Sequence, residues 1–239
     1  MHAYMALLRY DVGQLARSWL VRLWIGLLVV PALFVVIVAA NSTEKASETL
    51  AAYIAAGLVP VSAVVIAIVS GAAVSAESSV AADAILSRSV TRSEYIAAKV
   101  TSRLAMTVLV FAAVVIPFAY LIVRYSAEGD TSVGGVIAGL TMVGAALVAL
   151  AALGVALSTL LRNSLLSALI AIVAVGASGA ALQFLGFSWM STTAVLDDLP
   201  MTFRGQTAVW HEIRVVFGFA SLAAIGVASS VFVFGRRDL

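Results

Sequence analysis

The chain has 239 residues, of which 63% are hydrophobic and only 11% are charged, and its formal net charge is +2. Soluble domains carry about 25% charged residues, so this composition excludes an ordinary water-facing surface and predicts an integral membrane protein. The small net charge gives no support to nucleic-acid binding, and the absence of cysteine excludes thiol catalysis and disulfides.

Residues 1–19 are predicted to form an amphipathic helix at the membrane interface, before the first span. Their apolar side chains recur every three or four positions, which is the spacing of one face of a helix. These residues are Tyr4, Leu8, Val12, Leu15 and Trp19. Asp11 and Gly13 weaken a helix, so a frayed extension is the alternative.

Six long uncharged stretches follow, and each is long enough to cross a membrane. The hydrocarbon core of a bilayer is about 30 Å thick, which requires about 20 helical residues. The predicted spans are about 20–40, 50–76, 102–123, 133–161, 164–187 and 213–234. The first stretch is longer than the apolar part of a signal peptide, so it is expected to be retained. The sequence therefore predicts a single all-α integral membrane domain over residues 1–239.

The placement of Lys and Arg predicts the orientation, because cytoplasmic loops carry an excess of these residues. With the N-terminus inside, ten of the 14 basic residues are cytoplasmic. The four on the other side are Lys45, Arg124, Arg204 and Arg214. Both termini are therefore expected in the cytoplasm.

Proline and glycine residues interrupt the predicted spans. Pro31, Pro60 and Pro117 each remove one backbone hydrogen bond and are expected to kink their helices. Gly135 and Gly139 form a G-x-x-x-G pair, which permits close helix contact. Packing within the subunit is the favoured interpretation, and a dimer or transport-path face is the alternative.

The predicted spans contain no ionisable side chain once their ends are trimmed. Proton-coupled carriers place such groups at membrane depth, so this class is disfavoured, while a sodium-coupled carrier stays open. Gly176 to Gly179 resembles the G-x-S-G motif of rhomboid proteases. Small-residue packing is favoured around Ser178, because the only nearby base is His211.

Catalytic and metal sites are not expected in this chain. Its only histidines, His2 and His211, lie near opposite ends of the sequence, so a metal site has little support. The P-loop pattern G-x-x-x-x-G-K-[ST] is absent from the sequence. Any ATP must therefore be hydrolysed by a partner, and the chain by itself is not expected to be an enzyme.

Segment 77–101, between the second and third spans, carries the densest mixed charge of the chain. It is predicted to form a short helix from Glu77, a turn from Ser89 to Thr91, and a helix with Ser93 as N-cap that runs into the third span. A displayed helix, turn and helix fits a groove on a partner. A solvated connecting loop is the alternative.

This segment resembles the cytoplasmic loop of type-2 ABC transporter permeases, the membrane subunits of exporters whose ATPase is a separate polypeptide. The matching residues are Glu77, Leu86, Ser87, Arg88, Val90, Arg92, Tyr95 and Lys99. A short connection between the fourth and fifth spans and a polar segment before the sixth also match. The chain departs from the family where Gly-Thr often follows the glutamate and Pro precedes the valine. Here Ala81, Ala82 and Asp83 occupy the first place and Ser89 the second.

The resemblance implies that the 77–99 segment is a coupling element on which the ATPase docks. The residues expected at or beside this contact are Glu77, Asp83, Arg88, Arg92, Glu94 and Lys99. It also implies two copies of a cytosolic ABC ATPase, which bring ATP and Mg, and a second permease copy or a sibling permease. The expected location is the plasma (inner) membrane of a prokaryote.

The extracytoplasmic segment 188–212 contains two tryptophans and two adjacent carboxylates. Tryptophan is enriched at membrane interfaces. The resembling family caps its exit path with this region, so the candidate exit gate consists of Trp189, Asp197, Asp198 and Trp210. A cation site at the two carboxylates and a histidine is the alternative, and solvated loop charge is favoured over it.

The sequence thus predicts the permease subunit of an ATP-driven exporter, in contact with membrane lipid and with a hydrophobic or amphipathic cargo. The alternative is a non-transporting membrane anchor, or an immunity or sensing subunit, that recruits a cytosolic partner.

Overall fold

The computed structural model describes residues 2–41, 43–75, 91–161 and 163–236. The protein is 87% helical, and the described ranges contain no strand. The α-helices are α1 (His2–Arg17), α2 (Trp19–Asn41), α3 (Ala46–Ala52), α4 (Val59–Gly71), α5 (Arg92–Tyr125), α6 (Val133–Leu160), α7 (Ser164–Phe184), α8 (Thr192–Asp197), α9 (Leu199–Phe203) and α10 (Val209–Gly235). A π-helical segment, Tyr53–Leu58, joins α3 to α4, and a 3₁₀ turn, Ser188–Met190, precedes α8.

Six helical segments of the described chain are long and apolar enough to cross a membrane. They are Trp19–Asn41, Ala46–Gly71, Arg92–Tyr125, Val133–Leu160, Ser164–Phe184 and Val209–Gly235. The predicted all-α fold, with six spans after an N-terminal helix, is confirmed. The third segment includes the helix that was predicted to run into the span from the 77–101 segment, so α5 begins at Arg92, ahead of the predicted span 102–123.

An even number of spans returns the chain to the side of the bundle on which it began. We call the end with α1, Ser75, Thr91 and Arg236 the N-face. The opposite end, which carries residues 126–132 and 185–208, is the far face. The assignment of the N-face to the cytoplasm stays a prediction from the Lys and Arg placement.

Helix α1 packs along α5 with the apolar face that its sequence predicts. Tyr4, Leu8, Val12 and Leu15 are partly buried, and the Tyr4 hydroxyl donates a hydrogen bond to the hydroxyl of Thr101 at 3.1 Å. The assignment of Trp19 to this face is corrected. The chain turns at Ser18, so Trp19 begins α2 and is 72% exposed.

The main apolar core joins α2, the second span, α5 and α6. Two of its large side chains carry a polar atom, and each of these atoms has a partner. Trp24 donates its indole N–H to the Ser62 hydroxyl at 3.1 Å. Tyr53 donates its hydroxyl to the Leu28 carbonyl at 3.2 Å. Buried polar atoms cost free energy unless they are bonded, so these pairs fix α2 against the second span.

The second span is not a uniform α-helix. Pro60 lies in the first turn of α4, directly after the π-helical segment. Val59 donates its N–H to the Ile54 carbonyl, five residues earlier, which is the π-helical pattern. Proline has no N–H to continue an α-helical ladder, so a change of hydrogen-bond pattern beside it is expected. Pro31 and Pro117 lie inside α2 and α5.

Helix α6 is the central element of the bundle, and glycine lets its neighbours approach closely. It contacts α4, α5, α7, α9 and α10. A Cβ atom added to Gly226 of α10 would lie 2.9 Å from the Ala152 carbonyl carbon, and one added to Gly154 would lie 2.7 Å from Cβ of Ser70. Such separations are below van der Waals contact, so α4, α6 and α10 touch through backbone.

The G-x-x-x-G pair of α6 is also occupied from within the subunit. A Cβ on Gly135 would clash with the Thr202 carbonyl oxygen, and one on Gly139 would clash with the Phe203 ring. The pair therefore receives α9, a short helix of the far face. This confirms packing within the subunit, the favoured interpretation of the pair.

We expect Gly135→Ala to destabilise the protein by about 1–3 kcal/mol, because backbone atoms of residues 202 and 205 cannot move aside as a flexible side chain can. Gly134→Ala is the matched control, since a Cβ there meets nothing within 4 Å. Thermal unfolding of the purified protein in detergent measures both. Equal stability of the two variants would show that α9 does not sit on this glycine.

Candidate functional site

The N-face end of α5 begins with a capping box. The Thr91 hydroxyl accepts a hydrogen bond from the Glu94 N–H at 3.2 Å, and the Glu94 carboxylate accepts one from the Thr91 N–H at 3.2 Å. Ser93, which was predicted to be the N-cap, lies within the helix. The prediction is corrected because the reciprocal pair satisfies two helix N-terminal donors that Ser93 would leave unpaired.

The six predicted docking residues divide into two groups. Glu77, Asp83 and Arg88 lie outside the described residues. Arg92 is the first residue of α5 and is exposed, Glu94 takes part in the cap, and Lys99 is buried.

Behind the cap, the first turns of α5 lie in a buried group that we call the Tyr95 cluster. Its members are Ala73, Val74, Tyr95, Ile96, Val100, Val155 and Phe234. The rings of Tyr95 and Phe234 stack, with centroids 5.5 Å apart. The cluster joins the end of the second span, the start of the third and the N-face ends of the fourth and sixth. A displacement of α5 at Tyr95 therefore acts on three other spans.

The end of the second span is fixed by Ser158 of α6. This buried hydroxyl accepts hydrogen bonds from the N–H groups of Val74, at 2.9 Å, and Ser75, at 3.1 Å. Ser75 in turn donates its hydroxyl to the Gly71 carbonyl at 2.9 Å. The chain is thus attached to the bundle on both sides of segment 76–90, by Ser158 before it and by the Tyr95 cluster after it.

A buried ion pair joins α1 to α5. The ammonium of Lys99 lies 3.0 Å from Oδ1 of Asp11, and the two side chains are only 6% and 4% exposed. Lys99 also lies over the Tyr95 ring, 5.5 Å from its centroid. Oδ2 of Asp11 is buried and has no hydrogen-bond partner in the described part of the chain. The pair therefore connects the N-terminal helix to the Tyr95 cluster.

The role of Asp11 was not predicted from the sequence, where this residue was expected only to weaken the helix. Its position nevertheless indicated a buried role, because Asp11 follows Tyr4 by seven positions and precedes Leu15 by four. That spacing places it on the apolar face of α1. Because Lys99 is buried with Asp11, a direct contact of Lys99 with a partner would require this ion pair to open.

We expect Asp11→Ala to lower the free energy of unfolding by about 3–5 kcal/mol, because it removes the carboxylate from a buried ammonium. Replacing both partners with apolar residues, Asp11→Leu with Lys99→Met, should restore most of this loss. Arg9→Ala, on the exposed side of α1, is the control and should change stability by less than about 0.5 kcal/mol. Detergent unfolding curves measure all three, and a double variant no better than Asp11→Ala would contradict the assignment.

A second polar group, the Arg204 cluster, lies on the far face and consists of Ser47, Glu48, Asp130 and Arg204. The Arg204 guanidinium lies 2.7 Å from Asp130, 2.5 Å from Glu48 and 2.9 Å from the Ser47 hydroxyl. Asp130 also accepts hydrogen bonds from the Ser47 N–H, at 2.9 Å, and hydroxyl, at 2.6 Å. The cluster ties the start of the second span to the 126–132 connection and to the end of α9.

Hydrogen bonding controls the protonation of this cluster. Partial burial by itself would raise the pKa of Asp130, but the hydrogen bonds from Ser47 and Arg204 outweigh it, so the pKa lies below its usual range. Hydrogen bonds to Asp130 and Glu48 raise the pKa of Arg204 further. Asp130 and Arg204 therefore form a charged pair at neutral pH. Ser47 and Glu48 are adjacent in the sequence, but Arg204 lies far away in the chain. The contact between them was therefore not predicted from the sequence.

The four predicted gate residues take part in different contacts. Trp189 is partly buried, with the Arg214 guanidinium 4.0 Å from its ring centroid. Trp210 is 74% exposed at the start of α10. Asp197 is exposed, and Asp198 lies 3.9 Å from Nε2 of His211. No group of three or more potential metal ligands occurs in the described ranges. The gate role stays a prediction.

The stability that Asp130 contributes should depend on pH. Because its folded pKa is lowered, the contribution is fully present above the ordinary value of about 3.9 and is lost as the pH falls through the folded value. We expect the unfolding temperature of the wild type to fall more between about pH 5 and pH 3 than that of Asp130→Asn. Asp197→Asn, at an exposed carboxylate of the same face, should retain the wild-type dependence. Parallel curves for wild type and Asp130→Asn would refute the assignment.

No protein-family model matches this sequence, and no curated protein matches it. The class that the composition and fold define is that of a multi-pass α-helical membrane protein.

Proposed function

We propose that the chain is the membrane-spanning permease subunit of an ATP-driven ABC exporter, and that a separate ATPase docks on the 77–99 segment. The sequence of that segment, with its resemblance to the type-2 permease loop, supports this function. The observation that carries the proposal is the attachment of the chain on both sides of residues 76–90. Ser158 holds the chain before these residues, and the Tyr95 cluster holds it after them.

This attachment suits a coupling element, because the chain before and after residues 76–90 is held to the spans by buried contacts. Helix α5 is continuous from the exposed Arg92 through its whole span. Its first turns pack against Phe234 of α10 and Val155 of α6. Closure of two ATPase subunits on the segment would tilt these spans together. Nucleotide state would thereby favour one of two helix arrangements, which is the requirement for coupling.

In this scheme the Arg204 cluster holds the far face closed. Its ionic contacts are partly exposed, so each contributes little free energy to stability, and a movement of the spans can separate them. The segments that would part are the start of the second span, the 126–132 connection and α9. These lie at the end of the bundle from which an exported cargo would leave.

The cargo is proposed to be hydrophobic or amphipathic. A cavity of about 380 Å³ lies between α4, α6, α7 and α10, and its lining is nearly all apolar. The Ser178 hydroxyl in this lining donates to the Val175 carbonyl of its own helix at 2.6 Å. That bond is ordinary in a helix and gives the serine no activating base, which favours packing over the protease alternative.

The test is co-expression with the ABC ATPase encoded beside this chain, followed by purification and measurement of ATP hydrolysis. We expect a stable complex with turnover. Reversing two charges, Glu77→Lys with Arg92→Glu, should weaken association about tenfold, which corresponds to 1.4 kcal/mol. Glu128→Lys, a charge reversal at an exposed far-face residue, is the control and should leave association unchanged.

Transport must be measured beside hydrolysis, because two functions share a docking segment. ATP-dependent movement of an apolar dye across proteoliposomes, abolished by the double reversal, would support the permease. A stable complex that hydrolyses ATP but moves no cargo would favour the membrane anchor. Failure of every neighbouring ATPase to associate would overturn the proposal.

A further inference from the structure

The third and fourth spans leave a long cleft between them. Its volume is about 750 Å³, and it is lined by α5 and α6, with Thr131 of the connection between them and two residues of α10, Ala220 and Ala223. Two of the few hydroxyls in the lining, those of Thr107 and Thr141, donate to carbonyls of their own helices. The cleft therefore offers apolar contact and little hydrogen bonding.

The shape of the cleft limits what can occupy it. On α5 the lining runs from Thr107 to Val123, which is about 24 Å at the helical rise per residue. At about 24 Å the cleft is long enough for an extended hydrocarbon chain, and its lining is apolar over most of that length, so such a chain suits it.

Membrane lipids beside the cleft can supply such a hydrocarbon chain. Both lining helices qualify as membrane spans, so the cleft opens toward lipid tails. Water has too few polar partners there to be stable. An unfilled cleft would also lose the dispersion contacts of every side chain along it. Apolar chains are therefore favoured as occupants.

A cation marks one end of the cleft. Arg124 directly follows the lining residue Val123 and lies one helical turn beyond Tyr120, which also lines the cleft. Arg124 is exposed and forms no ion pair with any residue in the described ranges. It is the last residue but one of the third span, on the far face, where an arginine at a helix end is expected to meet the lipid headgroups. Arginine binds phosphate through charge-assisted hydrogen bonds.

We propose that this cleft is a phospholipid site, with one acyl chain between α5 and α6 and the phosphate on Arg124. The lipid comes from the far-face leaflet and fills the contact between the third and fourth spans. The site does not depend on transport or on an ATPase, so it stands or falls independently of the proposed function.

Native mass spectrometry of the delipidated full-length protein, titrated with phosphatidylglycerol, tests the site. We expect one tightly bound lipid on the wild type. Ala112→Phe, which fills the cleft, should abolish that binding, and Ala113→Phe, on the exposed side of the same turn, should leave it unchanged. Ala220→Phe, with Ile225→Phe on the opposite, exposed side of α10 as its control, repeats the comparison from α10, so the result does not depend on the folding of a single variant.

Diacylglycerol is the probe for the phosphate contact. Arg124→Gln should weaken phosphatidylglycerol binding about fivefold and leave diacylglycerol binding unchanged. Equal phosphatidylglycerol binding by Ala112→Phe and Ala113→Phe would overturn the site. If Ala112→Phe instead changed the ratio of monomer to dimer, the cleft would be a subunit interface and the proposal would be wrong.

Discussion

A backbone N–H or C=O group without a partner costs several kcal/mol in hydrocarbon, and this cost governs the architecture of the molecule. Each span is helical because a helix satisfies its backbone internally. The second span keeps its bonds near Pro60 by changing to a π-helical pattern. Side chains follow the same rule, since the buried polar atoms of Trp24 and Tyr53 each have a partner.

Because lipid tails are as apolar as leucine, the helices gain little by hiding apolar surface from one another, and close packing must hold them together. Glycine supplies that packing where α6 meets α4, α9 and α10. Between the third and fourth spans, Gly144 of α6 instead faces the side chain of Phe111, and both residues line the cleft.

The two ends of the bundle are held by different forces. The N-face is held by the apolar Tyr95 cluster, by backbone donors on Ser158 and by the buried Asp11–Lys99 pair, all of which are shielded from water. The far face is held by the partly exposed Arg204 cluster. Salt and acid weaken exposed charge contacts far more than buried ones. This difference is consistent with the proposed function, in which the N-face transmits force and the far face opens.

Composition and local spacing determined the helical class, the six spans, the N-terminal helix and the position of the charged segment between the second and third spans, because each depends on neighbours within a few turns of one helix. Thr91 and Glu94 have the spacing of a capping box, so this N-cap was also predictable from the sequence, although the prediction named Ser93. Only the tertiary structure decided which distant charges meet. Asp11 and Lys99 are 88 positions apart, and Asp130 and Arg204 are 74 apart. Such pairs depend on which helices are neighbours and in what register they pack, and helical periodicity shows which face of a helix is buried but not what that face meets.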